Sequence, residues 1–119
     1  MGNLQKNYDL VPRVKRFSMQ VINFTKTIRL TIYNKNILEQ LLKSATSVGA
    51  NYIEADNAGS VKDYINKTNI ARKESAETRY WLELLQNLPE INENTRNQLQ
   101  QEAKEINLIL NAIIHKLKV

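Results

Sequence analysis

Between Val61 and Leu85 one set of residues recurs at alternating spacings of three and four: Val61, Tyr64, Thr68, Ala71, Ser75, Thr78, Leu82 and Leu85. That spacing places all of them on a single stripe of a helix. The stripe is small at its middle (Thr68, Ala71, Ser75, Thr78) and large at its ends. A neighbouring helix can therefore approach closely at mid-length. A second apolar stripe, Ile70, Trp81, Leu84 and Leu88 flanked by Tyr80, runs beside the first. Two stripes on one helix require two neighbours, either another helix of the chain or another subunit. Aromatic anchors suit interfaces, so Ile70, Tyr80, Trp81, Leu84 and Leu88 are the expected oligomer contacts.

The rest of the chain reads as three more helices. With 119 residues, 42% hydrophobic, there is material for one domain and one core. Gly and Pro number only 3 and 2, which favours long helices over turn-rich β folds. Residues 1–10 read as a flexible, polar N-terminus, and 11–119 as the domain. Pro12 suits the first turn of a helix over 11–32, whose apolar face is Val14, Phe17, Val21, Phe24, Ile28 and Ile32. Asn36 and Glu39 resemble a capping box opening a second helix over 37–57. Its apolar face is Leu38, Leu41, Leu42, Ala45, Val48, Tyr52 and Ala55. The centre of this helix, Ser44–Asn51, is small and polar. Gly49 inside it costs about 1 kcal/mol relative to alanine. Close packing against the small waist of the third helix is the expected compensation, with the short hydroxyls bonding back to helix carbonyls. Gly59 fits a helix C-cap, and Ser60 with Asp63 opens the third helix, over 61–88. Pro89 ends it. Asn92 or Asn94 caps the fourth, over 93–118, which carries Leu99, Ala103, Ile106, Leu110, Ile113 and Leu117.

Several function classes are excluded or disfavoured. The chain has no Cys, which rules out disulfides, thiolate nucleophiles and Cys-type zinc sites. The single histidine, His115, with carboxylates is a poor ligand set for zinc. No Glu-x-x-His occurs, so a di-iron bundle is not expected. A phosphate-binding loop needs glycines ahead of a helix and a following Lys, which Ser44–Asn51 lacks. No nucleophile elbow is present. Glu74 and Glu77, among Arg72, Lys73 and Arg79, read as surface ion pairing. The expectation is a protein without catalytic residues, metal or cofactor. The N-terminus lacks the apolar core of a signal peptide and carries Lys6 where a myristoylation signal has Ser or Thr. No segment is apolar enough to span a bilayer. A cytoplasmic location is the default expectation, with no membrane partner.

The net charge of +5 permits, without establishing, contact with polyanions. The first helix carries Arg13, Lys15, Arg16, Lys26 and Arg29 and no acid. Lys15, Lys26 and Arg29 cluster on one side, either as a solvated face or as a surface contacting the phosphates of RNA or DNA. Arg13 and Arg16 are the next candidates. Asn51, Glu54, Glu77 and Arg79 lie beside the packed stripes and are candidates for a structural polar network fixing register.

The runs SATSVGANYIEA (44–55) and IARKESAETRYWLELL (70–85), with Ser60 and Asp63-Tyr64-Ile65 between them, resemble the bacterial family of 23S rRNA-intervening-sequence, or ribosomal-protein-like, proteins. EAKEINLILNAIIHKLK (102–118) fits that family's last helix, so the likeness spans about residues 38–118. Helix 1 fits in pattern only. The family often has a Pro-containing turn after that helix, where this chain reads Ile32-Tyr33-Asn34-Lys35. The resemblance implies an all-α, antiparallel up-down-up-down four-helix bundle, assembled as a homopentameric ring, with no established enzymatic activity. Some members are encoded inside insertions of large-subunit rRNA genes. A distant relative, the accessory protein of diversity-generating retroelements, is a basic pentamer that binds nucleic acid and a reverse transcriptase. The functional expectation is a non-enzymatic oligomeric adaptor with a basic, nucleic-acid-contacting surface. The alternative is a scaffold for a protein partner, without nucleic-acid binding.

Overall fold

A computed structural model describes residues 10–118 of the chain. They form four helices: α1 (Leu10–Lys26), α2 (Lys35–Asp56), α3 (Val61–Leu84) and α4 (Glu93–Lys118). There is no strand among the described residues. Of the expected N-terminus, residues 1–9 fall outside them, while Leu10 opens α1 and is buried.

α1 buries Leu10, Val14, Phe17, Val21 and Phe24, a four-three repeat that keeps one face inward. It stops at Lys26 rather than near Ile32. The hydroxyls of Thr25 and Thr27 donate back to the carbonyls of Ile22 and Phe24. Back-bonding hydroxyls on β-branched residues favour an end here. Ile28 still packs against the core from the loop. Ile32 is 90% exposed, and the inward place belongs to Asn34, which is fully buried. The Asn34 Oδ1 accepts from the Thr31 N–H at 2.9 Å, and its Nδ2 donates to the Arg29 carbonyl at 3.0 Å and to Glu90 Oε2 at 2.6 Å. An amide side chain thus supplies the hydrogen bonds that a continuing helix would have made.

α2 starts at Lys35 with Asn34 as its N-cap residue. The Asn36–Glu39 capping box is not formed, since the helix already runs through both and both are exposed. Leu42, placed on the apolar face by its spacing, sits at the rim, 36% exposed. Gly59 has no positive φ, and Asn57 occupies the C-cap instead. α3 opens as its sequence predicts, with Ser60 Oγ accepting from the Asp63 N–H at 3.1 Å. It ends at Leu84, ahead of the expected 88, because Asn87 turns left-handed at φ 70° and breaks the helix before Pro89. α4 is capped by Asn92, whose Oδ1 accepts from the Thr95 N–H at 3.0 Å.

The stripe of α3 is buried from Tyr64 through Leu85, while Val61 lies half in solvent. Ser44 and Thr78 meet at 2.9 Å across the α2–α3 seam, and Ser44 also donates to its own helix at the Leu41 carbonyl. Ser75 instead faces α4, accepting from Asn107 Nδ2 at 2.7 Å. Gly49 does not serve the α3 waist at all. A Cβ there would meet Ser18 Oγ at 3.1 Å and the Val14 carbonyl at 3.5 Å, both on α1. The glycine is needed where α1 crosses α2.

The bond between Asn34 and Glu90 places the α1–α2 and α3–α4 turns at one end of the bundle. The α2–α3 turn must then lie at the other end, so the helices alternate in direction. Of the four adjacent pairs, α2 and α3 pack most intimately, followed by α3 with α4 and α1 with α2, with α1 and α4 the loosest. Three seams of the bundle are closed and one is open.

Candidate functional site

The open seam forms a cleft of about 770 Å³. Phe24, Ile28 and Leu99 make its floor, with Phe24 and Leu99 nearly buried. Gln20, Asn23 and Thr27 rise on the α1 side, and Thr95 and Gln98 on the α4 side. Its upper wall is an ion-pair clamp. Arg13 Nε and Nη2 donate to the two oxygens of Glu102 at 2.8 Å each, and Nη2 reaches Glu105 Oε1 at 2.8 Å. The Glu102 hydrogen bond, with Glu105 behind it, pushes the Arg13 pKa further up. Arg13 therefore joins α1 to α4 through its Nε and Nη2 donors. Glu90, held by Asn34, closes the lower end.

The other basic candidates are placed differently. Lys15 and Lys26 lie on the outer face of α1, with Met19 and Ile22 exposed between them. Arg16 stands exposed at the cleft mouth. Arg29 is carried by the loop, not by the helix, so its proximity to Lys26 does not come from helical spacing. None of these four makes an ion pair among the described residues. No Asp or Glu occurs between Leu10 and Leu38.

The four residues read as a structural polar network are not brought together. Asn51 Nδ2 donates back to Ser47, Glu54 pairs with Lys67 at 3.0 Å, and Glu77 accepts from Trp81 Nε1 at 3.3 Å. The Arg79 carbonyl accepts from Gln100. Glu74 and Glu77 form no ion pair among the described residues. Burial pushes the Glu74 pKa up, and neighbouring Glu77 adds to the effect.

Other polar groups that tie elements together include Asn34, the Tyr52–Tyr64 hydroxyl pair at 2.9 Å, and Arg96. Arg96 is only 6% exposed and donates to the Leu82 carbonyl at 3.2 Å, in the last turn of α3. It also pairs with Glu93 at 3.0 Å, and that hydrogen bond is the main reason the Glu93 pKa is lowered. Their individual bonds leave no periodic trace in a sequence. The cleft does leave one: Gln20, Asn23 and Thr27 repeat at three and four beside the apolar stripe of α1.

The expected interface stripe on α3 is partly open. Ile70, Tyr80 and Leu84 are exposed, and Trp81 and Leu88 are half-buried against the core. Tyr80 and Trp81 pack edge to face with centroids 4.9 Å apart. Leu30, Ile32 and Tyr33 form a further exposed apolar group on the loop. No helix among the described residues is long and apolar enough to cross a membrane.

Fold and site together define an all-α four-helix bundle with one unclosed seam beside a cationic helix. The 23S rRNA-intervening sequence protein family matches residues 6–112, and the chain belongs to that family. It is also similar to a crystal structure described as a protein of unknown function from the S23 ribosomal protein family of Bacteroides thetaiotaomicron. The two are 37% identical with a TM-score of 0.75, over 87% of this chain and 96% of the other. Neither the family nor this neighbour is described as an enzyme. No curated protein matches the chain.

Proposed function

We propose that the protein is a non-enzymatic, homo-oligomeric adaptor that contacts nucleic acid, in the first place ribosomal RNA, through the outer face of α1 and the loop after it. The observation that carries this reading is the acid-free segment 10–38, on which Lys15, Arg16, Lys26 and Arg29 are exposed and free of carboxylate partners among the described residues. Unpaired surface cations bind phosphate through counterion release, a weak effect per site that adds up over many sites. Arg13, engaged with Glu102 and Glu105, contributes through the bundle and not by direct contact. The exposed α3 stripe supports self-association, and the family resemblance suggests a ring of five. Such a ring would carry a formal charge of about +25, five copies of +5, and would multiply weak contacts.

A second reading has its own support. Leu30, Ile32 and Tyr33 expose an apolar surface on a loop fixed by Asn34, which suits a scaffold for a protein partner. The test compares the ultraviolet absorbance ratio of purified protein before and after high salt, and RNA affinity after Lys15, Lys26 and Arg29 are replaced together by Ala. Co-purifying nucleic acid, salt-dependent binding and a loss in the triple variant support the adaptor. Salt-independent or unchanged binding overturns it. Mass in solution decides the number of subunits.

A further inference from the structure

The α1–α4 cleft differs in chemistry from the cationic face beside it. Two arginines in its lining, Arg13 and Arg16, are matched by two carboxylates, Glu90 and Glu102. Its interior is balanced in formal charge, so a phosphate gains little by entering. What the cleft offers instead is hydrogen bonding above an apolar floor. Gln20 and Asn23 of α1 face Gln98 of α4, and none of these three side chains has a hydrogen-bond partner within the chain among the described residues. Each amide carries both donors and acceptors. Phe24, Ile28 and Leu99 lie beneath them. The volume of about 770 Å³ falls within the range of roughly 300–1,000 Å³ typical of small-ligand sites.

We propose that this cleft receives an unpaired nucleobase of a bound single-stranded RNA, with the base resting on the apolar floor at half-buried Ile28 and its polar edge meeting Gln20, Asn23 and Gln98, while the phosphates stay outside on Arg16, Lys26 and Arg29. The proposal rests on the nucleic-acid reading above and adds what that reading lacks, a preference for unpaired bases. Every base presents an apolar face and a mixed donor–acceptor edge, and recognition of splayed-out bases by ring contacts and polar side chains is the usual mode for single strands. A base held in a paired duplex cannot enter a recess of this kind. Arg16 stands at the mouth, where one side chain reaches the backbone of a strand whose base lies inside.

The experiment uses the full chain and two RNA probes of equal length, one single-stranded with a central 2-aminopurine and one fully paired. The expected result is tighter binding of the single strand at the same salt, with a change in 2-aminopurine emission on binding. Replacing Gln20, Asn23 and Gln98 together by Ala, all at exposed positions, is expected to weaken single-strand binding roughly tenfold. It should abolish the emission change and leave duplex affinity and helicity as they were. A separate variant, Gln98→Leu, keeps the side chain's size but removes the α4 amide and should weaken single-strand binding in the same direction. Salt-dependent binding of both probes with equal affinity, no emission change and no effect of either variant would overturn the cleft proposal while leaving the surface reading intact. No binding of either probe would overturn both.

Discussion

Asn34 and Glu90 are joined by a 2.6 Å hydrogen bond between the α1–α2 turn and the α3–α4 turn, 56 residues apart in sequence. Asn34 is fully buried, and its amide also serves the Thr31 N–H and the Arg29 carbonyl. Asn34→Ala strands these backbone groups and is expected to cost about 3 kcal/mol, since an unmade buried bond costs more than a made one contributes. Glu90→Gln keeps an oxygen acceptor and should cost less than about 1 kcal/mol. Urea unfolding of both variants and the double variant measures the coupling. Additive losses would show that the two turns are held independently.

Gly49 and Ser18 form the second tight contact. Ser18 Oγ, 3.1 Å from where a Cβ on residue 49 would sit, is bonded to the Val14 carbonyl at 3.1 Å and reaches the Ala45 carbonyl at 3.4 Å. Gly49→Ala alone gains helix propensity but must displace that hydroxyl, so little net change is expected. In a Ser18→Ala background the obstruction is gone, and Gly49→Ala should stabilise by about 1 kcal/mol. Gly49→Val overfills the crossing and should destabilise by about 2 kcal/mol. Thermal or urea midpoints of the four proteins check the ordering.

The contrast between these two contacts shows what the sequence can and cannot disclose. Helix faces were legible because apolar spacing is a local, repeated signal. The buried stripe of α3 and the Ser60–Asp63 start are where their spacing predicts. Gly49 was legible as a close approach but not as to partner, because a small residue marks proximity and not direction. Asn34 was illegible. In sequence it is one more turn residue, and its role depends on Glu90, brought beside it only by the fold. For the same reason Arg13 read as a free cation, since Glu102 lies 89 positions away. The outer cations are exposed as expected. The polar wall of the cleft is legible in the Gln20, Asn23 and Thr27 repeat, but the facing wall on α4 is brought beside it only by the fold.

Tyr52 and Tyr64 are both buried, with hydroxyls 2.9 Å apart and rings edge to face at 6.2 Å. Burial pushes both phenol pKa values up, Tyr52 further by its bond to Tyr64. A group whose folded pKa is raised contributes stability below its unfolded value and loses it as pH rises. Stability should therefore decline above about pH 10, the ordinary value for tyrosine. Phenolate absorbance should show these two tyrosines ionising only together with unfolding. Tyr52→Phe removes the Tyr52 partner of the Tyr64 hydroxyl and should cost about 1–2 kcal/mol, while the double Phe variant costs less than the sum of the singles.

Glu74 supplies the opposite test, at acid pH. It is half-buried on α3 beside Glu77, with Ser47 and Lys43 of α2 facing it. Burial raises its pKa first, Glu77 adds to this, and the Ser47 hydroxyl and Lys43 oppose it. The folded state therefore holds this proton more tightly than the unfolded chain, whose value is about 4.3. The group favours folding below that pH, and the advantage is lost as pH rises through the elevated folded value. Glu105 runs the other way. Its pKa is lowered by Gln101 first and Arg13 next, so its contribution is present above the unfolded value and lost as pH falls through the folded one. Glu74→Gln should thus raise the urea midpoint at pH 7 and leave it unchanged near pH 4. Glu105→Gln should lower the midpoint at pH 7 and matter progressively less in acid. Equal shifts for Glu74→Gln at both pH values would mean that packing, and not charge, governs this site.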